Sequence, residues 1–242
     1  MSPVRAVLRA VLLAGTGIAL LLGCSGGGGA GGDTATSRGT TVSATSPAGS
    51  APTTEGSKPS APPSPSTSPA PRPALLTIPA IGVEELRVVP YEGTTDDRAG
   101  TRIQSRGVAA NPYGERGGVG PGEVGNYLVT AHRLSSGGPL RRLPDLDEGD
   151  SVLVTVGGAV HEYEITGTRK TSFRSARSLA EQRAAVPGFP GRRPTQAMIT
   201  ISTCLTLEDD AAGNFWRDEN GNPEHRVDKI GVLTGTRTPE PD

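Results

Sequence analysis

The sequence predicts an all-β fold, a barrel or a sandwich of short strands, set behind a long unstructured leader. Three observations carry this reading. Short β-branched runs bounded by Gly, Pro and Asp recur from about Leu75 onward, and little between them has helical spacing. All four Tyr, all three Phe and the single Trp lie beyond residue 90 of 242. The whole chain is only 34% hydrophobic and holds 34 Gly and 22 Pro, a composition that fits an ordered part diluted by a disordered one.

The strands justify themselves in order. ALLTIPAIGVEELRVVP from Ala74 to Pro90 offers two apolar runs broken at Pro79 and Gly82. NYLVTAH from Asn126 to His132 reads as a buried strand, entered through the loop GERGGVGPGEVG. The plainest element is SVLVTVGGAVHEYEIT: two alternating arms flank Gly157-Gly158, a two-residue hairpin signal. In its second arm Val160, Glu162 and Glu164 face one way, with His161, Tyr163 and Ile165 the other, so His161 is expected in the core. A polar stretch from Thr168 to Gly191 follows, with a short helix near Ser178 to Ala185. The strands Ala197–Cys204 and Arg226–Leu233 complete the set, separated by a long polar loop. Roughly 160 residues suffice for one core.

Ahead of this domain, Arg5 and Arg9 precede the apolar run from Ala10 to Gly23, which has the form of an export signal and is short for a membrane span. Residues 25–73 are almost wholly Gly, Ala, Ser, Thr and Pro and cannot bury enough apolar surface to fold. The expected organisation is therefore residues 1–24 as signal, 25–73 as linker, 74–237 as folded domain and 238–242 as tail. A net charge of −1 provides no field to recruit nucleic acid.

Cysteine usage sharpens the functional question. Leu21-Leu22-Gly23-Cys24 resembles the lipobox of bacterial lipoproteins, in which the cysteine carries the lipid; an uncleaved N-terminal anchor is the other reading. If Cys24 is lipidated, Cys204 stands without an intramolecular partner in an oxidising compartment, which calls for a reason. A buried hydrophobe would be the bland one. A thiol where a strand opens into a polar loop is also held rigidly within a substrate's reach. Zinc is a poor explanation, because His132, His161 and His225 are scattered and form no close ligand pair; no metal or cofactor is expected. Glu208-Asp209-Asp210 reads as a solvated loop.

Several motifs, in this order, resemble the sortase family. TISTC at Thr200–Cys204 is similar to the signature TLxTC, with Ile201 for Leu, and GNYLVTAHR resembles the strand that ends in the catalytic His. LRRLPDLDEGDSVLVT resembles the stretch after it, HRVDKIGVL the terminal strand with the catalytic Arg, and IPAIGV the opening strand. The resemblance spans about Leu75 to Leu233 and is most similar to actinobacterial class E sortases. Ala131, where many relatives have Gly, and the long segment from Leu205 to His225 are departures.

The resemblance implies a closed eight-stranded β-barrel with short helices and long loops. It implies a cysteine transpeptidase in which Cys204 is the nucleophile, His132 the acid and base, and Arg226 the oxyanion and substrate donor. Amide exchange needs those three functions on chemical grounds as well. Its substrates would be secreted proteins ending in an LPxTG or LAxTG signal, cut between Thr and Gly and passed to a peptidoglycan-precursor amine or a lysine of another protein. The enzyme would sit at the extracytoplasmic face of the cell membrane or in the wall. Thr203 is a candidate for orienting substrate, while Phe215 and Trp216 either stack on it or pin their loop. Arg217 competes with Arg226 and lacks the following strand; Arg133 reads as structural and His225 as a surface residue. An L,D-transpeptidase is disfavoured because neither His nor Gly lies within TISTC. A non-catalytic exported β-barrel lipoprotein binding a wall or peptide ligand is the alternative.

Overall fold

The computed structural model describes residues 70–238, all within the second of two compact units, Pro63–Asp242. The export signal, Cys24 and nearly all of the 25–73 linker lie outside the described residues. So does the tail after residue 238.

Eight strands close into one barrel. In chain order they are β1 (Ala74–Ile78), β2 (Val83–Glu92), β3 (Ala109–Tyr113), β4 (Gly125–Thr130), β5 (Ser151–Val156), β6 (Ala159–Ser172), β7 (Ala197–Cys204) and β8 (His225–Arg237). Around the barrel the order is β1-β2-β3-β4-β7-β8-β6-β5, closed by β5 against β1. The β2–β3 and β4–β7 pairs are parallel and the others antiparallel, so the sheet is mixed. Closure joins every strand to two neighbours, with β3 and β4 held at the single pair Ala110 and Thr130.

Local chemistry explains the joints. Pro79 opens a single 3-10 turn, Pro79–Ile81, and Gly82 in the left-handed region ends it, so β1 and β2 fold back on one another. Gly157 and Gly158 have φ of 57° and 86°, the doubly left-handed two-residue turn that matches strand twist. The interior is filled by residues of one parity: Leu76, Ile78, Tyr127, Val129, Val152, Val154, Tyr163, Ile165, Ile199 and Ile201, all within one cluster. Each such side chain contributes about 1.5–3 kcal/mol by leaving water.

Some expectations are corrected. The region between Glu92 and the GERGGVGPGEVG loop, for which the sequence predicts no element, holds α1 (Arg98–Gln104) and β3. β3 carries Asn111 and Pro112, poor strand formers. The Asn111 side-chain amide compensates by donating to the Leu128 carbonyl at 3.0 Å. β6 runs to Ser172, into the stretch read as polar loop, because β8 pairs with it as far as His225. Helix α2 (Ala176–Arg183) lies slightly earlier than expected, capped by Ser175, whose hydroxyl accepts from the Ser178 amide. Leu205–His225 contains α3 (Thr206–Ala211). His161 is half-exposed, with Nδ1 3.0 Å from Thr236 Oγ1, and is not a core residue.

Candidate active site

The site follows from strand direction. β4 and β7 run parallel with Thr130 beside Ser202, so the residues two beyond each, His132 and Cys204, emerge at the same end of neighbouring strands. β8 enters from that end in the opposite sense, and its Arg226 is paired directly across from Cys204. Three groups separated by up to 94 positions in sequence, His132 to Arg226, thus meet at one rim.

Residue parity decides which face they occupy. Ile199, Ile201 and Val227 pack in the core, so Thr200, Ser202, Cys204, Arg226 and Asp228 lie on the outer face. That face is also buried: all of β7 is. Its neighbours are polar. Asp228 Oδ1 accepts from Ser202 at 2.6 Å and Gln182 at 2.8 Å, and Oδ2 accepts from Thr171 at 2.5 Å. Gln182 on α2 in turn accepts from Thr95 at 3.0 Å. Burial pushes the Asp228 carboxyl up, and these donors, with Arg226, oppose it. The network fastens α2 across β6, β7 and β8 directly beside the thiol.

Cys204 is 8% exposed, and its Sγ lies 3.9 Å from Asn222 Oδ1. Burial pushes the thiol above its ordinary value, and Asp96 and Asp218 add to this against the lowering charges of Arg226 and Arg133. His132 is half-buried, and its imidazole is pushed down by burial first and by the Arg226 charge second. Both groups therefore favour their neutral forms. The imidazole is placed by backbone: the Ala131 amide donates to Ser202 O at 3.3 Å and the Leu140 amide to His132 O at 3.2 Å.

Arg226 is 1% exposed. Its Nη2 pairs with Asp96 Oδ1 at 2.7 Å and its guanidinium stacks over Phe173, 4.6 Å from the ring centroid. Burial opposes its charge, but Asp96, Cys204 and Asp228 outweigh it and hold its pKa above the ordinary value. Among the described residues Nε and Nη1 of Arg226 have no hydrogen-bond partner. A buried cation with spare donors beside a thiol can receive an anionic or carbonyl oxygen.

Other expected residues are distributed differently. Thr203 is 0% exposed and its hydroxyl donates to the Ala131 carbonyl at 2.8 Å, so it ties β7 to the chain entering His132 and does not face the open surface. Phe215 and Trp216 part company: Phe215 is 71% exposed, whereas Trp216 lines a cleft of about 510 Å³ with Thr94, Asp96, Phe173, Arg183 and Asn220. Asp96 and Phe173 both touch Arg226, so this cleft lies against the Arg226 side of the site. Arg217 pairs with Asp210, away from that role. Arg133 is buried; it pairs with Glu208, and its Nη1 donates to the Cys204 carbonyl at 3.4 Å. Glu208, Asp209 and Asp210 are thus not a solvated loop. They belong to α3, and Asp209 accepts from the His225 amide at 2.9 Å and faces its Nδ1 at 2.7 Å, so His225 is an anchored strand start. Among the described residues no group of three or more His, Cys, Asp or Glu is gathered as a metal would need. The sequence reading missed Asp96, Phe173, Gln182, Asn222 and Asp228. Only Asp228 left a local signal, an acid set between Val227 and Ile230 in the last strand.

Comparison with known proteins agrees with the barrel fold. No curated protein matches. Among solved structures, the SrtA sortase of Actinomyces oris superposes with TM-score 0.53 at 19% identity, covering 75% of this chain and 92% of that one. Sortase E1 of Streptomyces coelicolor, solved with a tripeptide in its active site, gives 0.51 at 22%, covering 72% and 96%. The SrtF sortase of Corynebacterium diphtheriae gives 0.50 at 18%, covering 75% and 96%. At these identities the likeness is one of fold, the closed eight-stranded barrel. The family model for the sortase domain matches residues 76–215, more than half of the chain. The chain belongs to the sortase family, whose members are generally cysteine transpeptidases.

Proposed function

We propose that this protein cleaves a C-terminal sorting signal of the LPxTG or LAxTG sort between Thr and Gly, holds the acyl group on Cys204 as a thioester, and passes it to an amine. The single observation that carries the assignment is the pairing of Cys204 with Arg226 across β7 and β8, at the strand end where β4 delivers His132.

The thiolate sulfur of Cys204 attacks the Thr carbonyl carbon, and the tetrahedral oxygen takes its charge beside the free donors of Arg226. Imidazolium at His132 gives its proton to the departing Gly amine, and the C–N bond breaks. An incoming amine then attacks the thioester, His132 accepts its proton, and Cys204 leaves as thiolate. Because burial favours the neutral thiol and imidazole, the reactive ion pair is a minority form and its titration belongs to the couple.

The acceptor is a peptidoglycan-precursor amine or a lysine of another protein. An export signal, a lipidated Cys24 or an uncleaved anchor, and an extended linker would hold the domain at the extracytoplasmic face of the membrane. The His225-Arg226 pair before the last strand and the Ser/Pro-rich stalk support a class E-like subclass. Incubating the full chain with a panel of LPxTG and LAxTG peptides and small amines tests the proposal. The expected product is peptide ending in Thr joined to the amine; absence of Thr–Gly cleavage across the panel would contradict it.

A further inference from the structure

We infer that Asp96 is a positioning residue for Arg226, clamping one nitrogen of the guanidinium so that its remaining donors are presented toward the reacting carbonyl. This rests on the proposed function for its catalytic meaning, and on geometry for the clamp. Asp96 Oδ1 meets Arg226 Nη2 at 2.7 Å, both side chains are sealed at 2% and 1% exposure, and no other carboxylate is ion-paired to Arg226 among the described residues.

The loop that carries Asp96 is itself held from several sides. Thr95 donates to Gln182 at 3.0 Å, and Arg183 Nη1 donates to Thr94 Oγ1 at 2.8 Å. Asp97 caps α1, accepting from Gly100 at 2.7 Å. Asp96 adopts φ of 63°, a left-handed conformation that Asp tolerates better than most residues, which turns its side chain inward. Gln104 reaches the same Oδ1 at 3.4 Å. Among the described residues Oδ2 has no partner, and burial pushes the carboxyl up against the pull of Arg226 and Gln104, so Oδ1 alone sets the guanidinium's orientation, with Phe173 as the floor beneath it.

The division of donors follows. Asp96 takes Nη2, which also reaches Asn222 Oδ1 at 3.5 Å, and Nε and Nη1 stay uncommitted. Without Asp96 the cation would keep its charge but lose its bearing, and 1 Å of misplacement is worth about 10²-fold in rate. The charged groups acting on Cys204 are Arg226, Asp96, Asp218 and Arg133; removing one of the two acids leaves Arg226 less balanced.

Asp96→Asn in the full chain is therefore expected to lower kcat for peptide transfer by about 10²-fold with KM changed less than about threefold. It is also expected to move the pH midpoint of Cys204 alkylation by iodoacetamide to lower pH, so the thiol becomes more reactive at neutral pH while catalysis falls. In an Arg226→Gln background the Asp96→Asn change should have little further effect on transfer. Activity within threefold of wild type, or an alkylation midpoint unmoved or raised, overturns the inference. If Asp96→Asn does not fold, Asp96→Glu carries the test. It keeps the charge but shifts the guanidinium, and should lower kcat with the alkylation midpoint near the wild-type value; wild-type kcat overturns the clamp. Because alkylation reads the clamp without any transfer, a protein inactive on every peptide would refute the proposed function and leave this inference separately testable.

Discussion

The two faces of the wall formed by β4, β7 and β8 are buried to a similar degree and built from opposite chemistry. Inside the barrel, Ile199, Ile201, Tyr127 and Val129 pack as an apolar filling. On the outer face, one residue away along the same strand, Ser202, Cys204, Arg226 and Asp228 are equally hidden and bound into a polar network. The inner face needs only shape and volume, so its residues are interchangeable within limits. The outer face needs most of its polar groups to meet particular partners, because an unpaired buried charge is costly, and Nε and Nη1 of Arg226 are exceptions among the described residues. Stability therefore resides mainly on one face and, under the proposed function, chemistry on the other, one strand serving both.

The largest expected effect breaks the comparison at the outer face. Cys204→Ala should abolish transfer, a loss of about 10⁴-fold or more, while thermal unfolding shifts little, since the change vacates a single polarisable atom. His132→Ala should lower transfer by about 10²–10⁴-fold, measured by product formation with saturating amine. Both would be misplaced in this account if unfolding, and not rate, were the main loss.

The converse change is Ile201→Ala on the inner face. It should cost about 2–5 kcal/mol in denaturant unfolding, and the protein that remains folded should transfer peptide at nearly the wild-type rate. Ile201 and Ser202 are adjacent, so the contrast between them tests the division directly. Ser202→Ala removes a donor from Asp228, which retains Gln182 and Thr171, and should cost about 1 kcal/mol.

The pH dependence sharpens the electrostatic side. Burial and Arg226 hold the imidazole below its ordinary value, and burial holds the thiol above its own. Protonating both groups stops the reaction on the acid side and deprotonating both stops it on the alkaline side. The rate profile should be bell-shaped, with the acid limb below the ordinary histidine pKa and the alkaline limb above the ordinary thiol pKa. Measured kcat/KM with limbs drawn inward from those values would contradict this. The smallest effect is at the loop: Phe215→Ala should change stability by no more than about 0.5 kcal/mol, whereas Trp216→Ala, in the cleft, should raise KM.

The barrel and the convergence of His132, Cys204 and Arg226 at one rim were legible for a physical reason. Period-two alternation in β5 and β6, the Gly157-Gly158 turn and the short motifs around His132, Cys204 and Arg226 are all local in sequence. β3 was not legible, since Asn111 and Pro112 are poor strand formers and its pairing partners are set by the closed barrel. Nor was the support of the trio. Asp96 lies 130 positions from Arg226, and Gln182 lies 46 from Asp228; nothing next to either announces its partner. The Glu208-Asp209-Asp210 run misled because a row of acids resembles a solvated loop, whereas here Arg133, His225 and Arg217 each take one of them.

One measurement bears most directly on the claim that the outer rim is where peptide exchange occurs. The full chain is incubated with a reactive sorting peptide in the absence of added amine, quenched in acid and mapped by mass. The account predicts an adduct of the peptide acyl portion on Cys204, lost on adding amine and absent from Cys204→Ala. An adduct on another residue, or peptide cleavage that persists in Cys204→Ala, would contradict it.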